Sequence, residues 1–197
     1  MTDLDARPWV DFAAPDITEA DIAAVVAVLR SGWLTTGPVV KDFEAALAAE
    51  VKARHVVTTS SCTTALECAV AALRLAPGSR VAVPSWTFVS SVTVLLRLGL
   101  VPVLIDSDPR TLNLSVRSLC VAADKGLSAV LPVHFGGTPV DRGVFAVARA
   151  GGLPVIEDCA HALGTTLPPD RGSVAACYSF YATKTLPTSE GGGGASD

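Results

Sequence analysis

Hydrophobic residues recur with a helical period near the N-terminus of this chain. Apolar positions between Ile22 and Leu29 lie three and four residues apart, and Thr18 and Asp21 are placed to cap a helix. The pattern stops at Gly32, a residue type that commonly ends helices. We therefore predict one amphipathic helix, followed by a loop.

From residue 39 onwards, apolar runs alternate with amphipathic segments. The runs predict strands at 55–58, 80–84, 101–106, 129–134, 153–158 and 175–182. The amphipathic segments predict helices at 39–51, 64–75, 88–98, 115–124 and 138–150, the last with Thr138 as N-cap and Pro139 in its first turn. Apolar strands that alternate with helices are typical of a mostly parallel sheet covered on both faces, so we predict an α/β fold.

Composition narrows the class of protein. Of the 197 residues, 50% are hydrophobic and 17% are charged, and the net charge is −4, which excludes a disordered chain and leaves no basic surface for nucleic acid or an anionic membrane. The apolar stretch 88–105 is interrupted by Arg97 and Pro102, so it makes a poor membrane span. Five cysteines without a C-x-x-C pair, and no recognisable leader, predict a cytoplasmic protein with reduced thiols.

Polar residues follow the predicted strands, at the edge where ligands bind in parallel α/β sheets. They lie at 58–63, 85–87, 106–108, 134, 157–161 and 179–184. Desolvation at this edge would favour the neutral amine of Lys184, which could then form a Schiff base, although its position also fits a surface lysine. The segment before Lys184 lacks the glycines of a Walker phosphate loop, which excludes that motif.

Asp158 ends an apolar strand, and a buried carboxylate there needs a cationic partner. A protonated pyridine nitrogen would serve, whereas the same aspartate would equally serve as the cap of a following helix. A metal site is a third alternative, formed by Asp158, Cys159, His161 and His134, but these residues lack the spacing of known metal-ligand motifs.

Two further segments have both a ligand-binding and a structural interpretation. Residues 60–64, Ser-Ser-Cys-Thr-Thr, open a helix after a strand, where they would bind phosphate or merely cap the helix. Trp86, in the loop after the second strand, would stack on a flat ligand or pack in the core. The order of these signals, from helix-start hydroxyls through an aromatic residue and Asp158 to Lys184, is that of a fold-type I enzyme that uses pyridoxal 5′-phosphate (PLP).

Longer motifs follow one another along residues 9–192. They are Ser-Gly-Trp-Leu-Thr-Thr-Gly-Pro at 31–38 with Phe-Glu at 43–44, and the segments 61–66, 84–88, 132–137, 157–164, 179–184 and 190–192. In these motifs the chain resembles the DegT/DnrJ/EryC1/StrS family of nucleotide-sugar aminotransferases. The resemblance implies the large domain of a fold-type I PLP transferase, a three-layer α/β/α structure with a mostly parallel sheet, lacking the C-terminal small domain.

The resemblance also implies a role for each site residue. Lys184 would bind the cofactor as a Schiff base and later move a proton at the substrate α-carbon, and Asp158 would pair with the pyridine nitrogen. The remaining cofactor contacts would be Cys62, Thr63 and Ser179 at the phosphate, Trp86 stacked on the ring, and His161 near the phenolic oxygen. The substrate loop would contain Trp33, Leu34 and Thr35. No metal ion is implied.

The implied reaction is amino transfer from glutamate to a keto-sugar nucleotide by a homodimer, in deoxyamino-sugar, polysaccharide or antibiotic biosynthesis. Two alternatives stay open: a truncated remnant or half of a split enzyme without catalysis of its own, and an aminotransferase for a keto-cyclitol. Cys62 and Ser189 replace glycines of the family pattern. We expect an N-terminal segment (1–38), an incomplete PLP-binding domain (39–190) without its final strand, and a Gly-rich tail (191–197).

Overall fold

A computed structural model describes residues 13–167 and 171–197 of the chain. The chain divides into two units, Met1–Thr35 and Thr36–Asp197. Each unit has its own set of internal contacts.

The described part of the first unit contains the predicted N-terminal helix. Helix α1 (Glu19–Ser31) begins after a capping box, in which the Thr18 side chain accepts from Asp21 and the Asp21 side chain accepts from Thr18. It ends at Gly32, whose φ of 73° lies in the left-handed region that glycine tolerates. The prediction of a capped helix that ends at this glycine is confirmed.

The second unit alternates strands and helices. Its strands are β1 (His55–Thr59), β2 (Arg80–Pro84), β3 (Val101–Ile105), β4 (Ala129–Val130), β5 (Ile156–Asp158), β6 (Ala175–Ser179) and β7 (Gly192–Ser196). Its helices are α2 (Pro38–Val51), α3 (Cys62–Ala72), α4 (Ser90–Arg97), α5 (Val116–Ala123) and α6 (Arg142–Ala150). Each strand and helix predicted for this unit is present, and β7 is an addition.

The strands lie side by side in the order β3-β2-β4-β5-β6-β7-β1. Hydrogen-bonded ladders form one sheet of β3, β2 and β4 and another of β5, β6, β7 and β1. Bridges from Val130 to Val155 and from Val133 to Asp158 join the two sheets between β4 and β5. Paired neighbours are parallel except at β7, which is antiparallel to both β6 and β1. The carboxyl ends of β1 to β6 therefore share one edge of the sheet.

Strand β7 corrects the prediction of a glycine-rich tail at 191–197. Gly192 pairs with Thr59 of β1 and with Ser179 of β6, so the segment fills the space between those two strands. The run of glycines suggested a tail because glycine usually weakens a strand. Here the absence of a side chain lets the backbone of β7 approach the start of α3 closely, since a Cβ on Gly192 would lie 2.3 Å from the backbone N of Cys62. The expectation of a missing final strand is wrong for the same reason.

The helix predicted to have Thr138 as its N-cap and Pro139 as its first residue begins three residues later, at Arg142. Thr138 has an extended backbone and follows two glycines whose φ values are 59° and 78°, a conformation that does not continue into a helix. Asp141 is the N-cap instead, because its side chain accepts the N–H of Gly143 at 2.7 Å. Pro139 therefore belongs to the preceding loop.

Helices cover both faces of the sheet. Val81 and Val83 of β2 pack with α3 and α4, whereas Ala82 points to the other face and packs with α5 and α6. A third cluster packs α2 against β6 and β7. This confirms the predicted three-layer α/β/α fold. Across the described residues, no helix combines the length and hydrophobicity that crossing a membrane requires.

Candidate active site

Asp158 lies at the carboxyl end of β5, where only 3% of it is exposed. Its Oδ2 accepts a hydrogen bond from the Ser91 hydroxyl at 2.9 Å, and its Oδ1 accepts the Ala160 N–H at 3.1 Å. Burial raises the pKa of Asp158 above its ordinary value, and these two hydrogen bonds oppose the rise. No lysine or arginine in the described chain forms an ion pair with it. The carboxylate therefore suits a cation that arrives with a ligand.

The interpretation of Asp158 as a helix cap is not supported. The element that follows β5 in the described residues is strand β6, so no helix is present there for Asp158 to cap. Its hydrogen bond to the Ala160 N–H instead closes a local turn at the end of the strand.

The cluster of possible metal ligands that forms among the described residues differs from the predicted set. His134, Glu157 and Cys159 are buried, and their ligand atoms lie within 4.8 Å of one another, with Glu157 in the place expected for Asp158. The Nδ1 of His134 accepts the Val140 N–H at 3.2 Å, so Nε2 carries the ring proton and donates it to Glu157 at 2.7 Å. A metal bound at Nε2 would require loss of that proton, so these contacts favour a structural cluster.

Glu157 is a buried acid to which the sequence analysis assigned no role. Its Oε2 accepts from His134, and its Oε1 accepts from Arg171 at 2.8 Å and from the Ser173 hydroxyl. Burial alone would raise its pKa, but the hydrogen bonds from His134 and Ser173 and the charge of Arg171 hold the pKa below its ordinary value. The signal in the sequence is an acidic residue inside the apolar run 153–158, which demands buried partners.

Helix α3 begins at the carboxyl end of β1 with free backbone donors. The hydroxyl of its N-cap Ser61 accepts the Thr64 N–H at 3.2 Å, and no described group accepts the N–H groups of Cys62 and Thr63. The Cys62 side chain is buried, with its Sγ 3.5 Å from the carbonyl oxygen of Cys177, so it points into the sheet. Two free N–H groups at the start of a helix can bind an anion such as a phosphate.

Lys184 lies in a turn after β6, half-buried, with its N–H donated to the Tyr181 carbonyl at 2.8 Å. Ser179, at the end of β6, accepts the Tyr181 N–H at 3.4 Å. Burial and the positive charge of Lys184 lower the pKa of His161, and the same charge opposes the rise that burial causes in the pKa of Cys62. The fold therefore brings Lys184 to the edge that also contains His161 and the start of α3.

The rings of Trp86 and His161 both contact the Phe135 ring. The ring centroids are 6.0 Å apart for Trp86 and Phe135 and 5.9 Å apart for Phe135 and His161, and both pairs meet edge to face. Trp86 is 54% exposed, so it does not pack in the core as the structural alternative proposed. Phe135 was missed as a site residue, although it stands in the motif at 132–137.

The pKa of His161 is held below its ordinary value by partial burial and by the nearby charge of Lys184. Replacing Lys184 with methionine is expected to raise the pKa of His161, because the substitution removes that charge. An NMR titration of the His161 ring signals measures the change, with Lys125→Met as the control. An equal pKa in the two variants would show that Lys184 does not lie near His161.

Trp33, Leu34 and Thr35 end the first unit and are exposed. The Trp33 N–H donates to the Ser31 hydroxyl at 3.1 Å, which shapes the turn after α1. Their assignment to a substrate loop stays a prediction, as do the individual contacts assigned above to the cofactor.

The site combines a buried acid with no cationic partner among the described residues, a helix start with free N–H groups, and a lysine at the same edge of the sheet. These groups fit the pyridinium, the phosphate and the aldehyde of PLP, respectively. Fold and site together define the large domain of a fold-type I PLP-dependent enzyme. Residues 15–195 match the DegT/DnrJ/EryC1/StrS aminotransferase family, and the chain belongs to that family.

Similar proteins agree with this assignment. The chain is 42% identical over 188 residues to the spore coat polysaccharide biosynthesis protein SpsC of Bacillus subtilis strain 168, which covers 93% of this chain and 48% of SpsC. The PLP form of Spr1654 from Streptococcus pneumoniae has a TM-score of 0.87 and 32% identity, covering 95% of this chain and 53% of that one. DesI, solved in the presence of its TDP-sugar product, has a TM-score of 0.85 and 33% identity, covering 96% and 50%. The chain thus spans about half the length of the relatives it matches.

Proposed function

We propose that this chain is the PLP-binding domain of an aminotransferase that moves an amino group from glutamate to a keto-sugar nucleotide. The observation that carries the proposal is Asp158, a buried carboxylate that has no cationic partner among the described residues and lies at the same edge as Lys184. Such a carboxylate is costly to bury unless a ligand brings the opposite charge. A pyridinium ring is such a ligand.

Each group at the edge has a place in this proposal. Asp158 would hold the pyridine nitrogen, and Lys184 would hold the aldehyde. The phosphate would bind at Cys62, Thr63 and Ser179, where the first two contribute backbone N–H groups. Trp86, exposed beside Phe135, would cover the ring.

When bound, PLP supplies an electron sink that stabilises negative charge at the substrate α-carbon. Asp158 contributes by remaining ionised, which keeps the ring nitrogen protonated. Lys184 contributes an amine that removes and returns the proton at the α-carbon. The Nδ1 of His161 accepts the Gly136 N–H at 3.3 Å, so its Nε2 carries the proton and can donate to the phenolic oxygen.

Two of the similar proteins support the class of substrate. DesI was solved with a TDP-sugar product, and SpsC is named for polysaccharide biosynthesis. The chain covers about half of each. The second candidate is the half-enzyme named in the sequence analysis. In that candidate the chain binds PLP through the same residues but completes no turnover without a further polypeptide.

The first test is covalent labelling of Lys184. We expect the purified 197-residue chain, incubated with PLP and reduced with borohydride, to carry the cofactor on the Lys184 peptide. Mass spectrometry after digestion locates the label. The label should be lost from that peptide in Lys184→Ala and retained in the control Lys41→Ala. A label absent from Lys184, or spread evenly over the lysines, would refute the proposal.

Turnover then separates the candidate functions. Formation of 2-oxoglutarate from glutamate is measured with a keto-sugar nucleotide or with a keto-inositol as acceptor. Faster turnover with the nucleotide supports the proposed reaction, and faster turnover with the keto-inositol supports a cyclitol aminotransferase. Labelling of Lys184 without turnover on either acceptor supports the second candidate, in which the chain binds PLP but needs a further polypeptide for catalysis.

A further inference from the structure

A chain of buried hydroxyls leads to Asp158 from the loop after β2. The Ser91 hydroxyl lies 2.9 Å from Asp158 Oδ2, and the Thr87 hydroxyl lies 2.8 Å from that of Ser91. Ser91 is 0% exposed, and Thr87 is half-buried. From this geometry we propose that Ser91, supported by Thr87, is a positioning residue that keeps Asp158 ionised and oriented toward the pyridine nitrogen of PLP.

The direction of these hydrogen bonds follows from the chemistry of the groups. An ionised carboxylate only accepts, so the Ser91 hydroxyl donates its proton to Asp158. Ser91 Oγ has no other proton to give, so it accepts from the Thr87 hydroxyl. Each donated hydrogen bond polarises the next, which strengthens the contact that reaches the carboxylate.

A merely structural role for the two hydroxyls, as caps of α4, does not fit the structure. The N-cap of α4 is Val89, and no side chain caps the helix there. Thr87 and Ser91 lie four residues apart, so their side chains meet on the same side of the chain as it enters the helix. Both hydroxyls therefore serve Asp158 rather than the first turn of α4.

The effect on Asp158 is electrostatic. Burial favours the protonated carboxyl, which cannot pair with a pyridinium. Donation from Ser91 and from the Ala160 N–H favours the ionised form. The Cys62 Sγ lies 4.0 Å from Asp158 Oδ1 but 3.5 Å from the Cys177 carbonyl oxygen, which is the nearer acceptor for its single proton.

Five titratable groups interact with the carboxylate. They are Cys62 at the start of α3, Cys177 in β6, His134 after β4, and Cys159 and His161 after β5. Burial raises the pKa values of all three thiols, so none ionises in the range where Asp158 titrates. Burial and Lys184 lower the pKa of His161, so its ring is neutral near neutral pH. The hydroxyl chain is therefore separable from these groups by substitution.

The part of the inference that concerns PLP rests on the proposed function, so the test begins without the cofactor. The pKa of Asp158 is measured by carbon NMR titration of its side-chain carboxyl in the whole cofactor-free chain. We expect Ser91→Ala to raise it, because the ionised form loses a donor. Thr87→Val, which keeps the shape but loses the hydroxyl, should raise it less. Thr87→Ser, which keeps the hydroxyl, should leave it unchanged.

Ser90→Ala is the matched control, since Ser90 is the neighbour of Ser91 in α4 and takes no part in the hydroxyl chain. With PLP labelled with nitrogen-15 in its ring, we expect the ring nitrogen to lose its proton at lower pH in Ser91→Ala than in the control. PLP affinity should fall roughly tenfold or more, as expected for one hydrogen bond to a charged group.

The outcomes separate the two proposals. An Asp158 pKa that is equal in Ser91→Ala and Ser90→Ala overturns the role of Ser91, whether or not PLP binds. Failure of the wild-type chain to bind PLP overturns the proposed function, while the carboxyl titration still decides the role of Ser91. If Ser91→Ala does not fold, the pair Thr87→Val and Thr87→Ser decides it, because Thr87 is half-buried between exposed loop residues.

Discussion

Gly192→Ala is expected to destabilise the domain by about 3 kcal/mol or more and to abolish PLP binding. The new Cβ would lie 2.3 Å from both the N of Cys62 and the carbonyl carbon of Ser61. These are backbone atoms at the start of α3, so they cannot move aside as a flexible side chain would. Either β7 shifts out of the sheet or the start of α3 is displaced, and the second outcome removes the N–H groups that would bind phosphate.

Gly194→Ala is the matched control for this prediction. It lies in the same strand, yet a Cβ there would meet nothing within 4 Å. Its effect on the free energy of unfolding should stay within about 0.5 kcal/mol. Urea unfolding monitored by circular dichroism gives both values. Equal stabilities for the two variants would mean that β7 does not press against the start of α3.

Glu157→Gln is expected to destabilise the fold by about 3 kcal/mol. The substitution keeps the size of the side chain but leaves the charge of Arg171, only 19% exposed, without its partner. It also replaces the carboxylate that accepts the proton of His134 at 2.7 Å. The Glu157 carboxylate joins three segments: strand β5, the loop after β4 and the loop before β6. We therefore expect its loss to lower the free energy of unfolding of the whole unit.

Glu67→Gln provides the comparison at the surface. Glu67 pairs with Arg97 at 3.3 Å, but the two side chains are 27% and 68% exposed. Water already screens this pair, so its loss should cost no more than about 1 kcal/mol. A cost for Glu157→Gln as small as that for Glu67→Gln would contradict the structural role of the buried cluster.

The effect of Glu157 should also depend on pH. Its pKa is lower in the folded than in the unfolded chain, so the ionised form stabilises the fold above the ordinary value of 4.5. That stabilisation is lost as the pH falls through the folded-state pKa. The difference in unfolding free energy between wild type and Glu157→Gln should therefore be constant near neutral pH and narrow below 4.5. A difference that widens on acidification would contradict this sign.

The sequence predicted best the features that depend on a repeated pattern of apolar and polar residues. Alternating apolar runs and helical segments predicted the three layers and the parallel strands, because burial on both faces imposes that pattern. Asp158 could be singled out because an acid at the end of an apolar strand is unusual, and Lys184 because of its place after the last predicted strand. Neither residue identified its ligand alone, since each position also fits a structural role.

The residues that were missed depend on distant neighbours. Ser91 is an ordinary serine in the first turn of a helix. Its proposed role depends on its hydrogen bond to Asp158, 67 positions further along the chain. Phe135 matters because the Trp86 and His161 rings meet it from other loops. No local pattern encodes such contacts, so only the folded arrangement shows them.

The chain alone therefore determined the class of fold, the order of its elements and two of the charged groups at the edge. The class of fold and the order of its elements follow from the periodicity of apolar positions, and the two charged groups follow from their places after predicted strands. Both kinds of information can be read along the chain without its tertiary structure. Tertiary structure decided that Gly192–Ser196 is a strand between β6 and β1, that Glu157 accepts hydrogen bonds from His134 and Arg171, and which hydroxyl donates to Asp158. Those depend on the approach of backbones and on the pairing of buried polar groups, which packing alone settles.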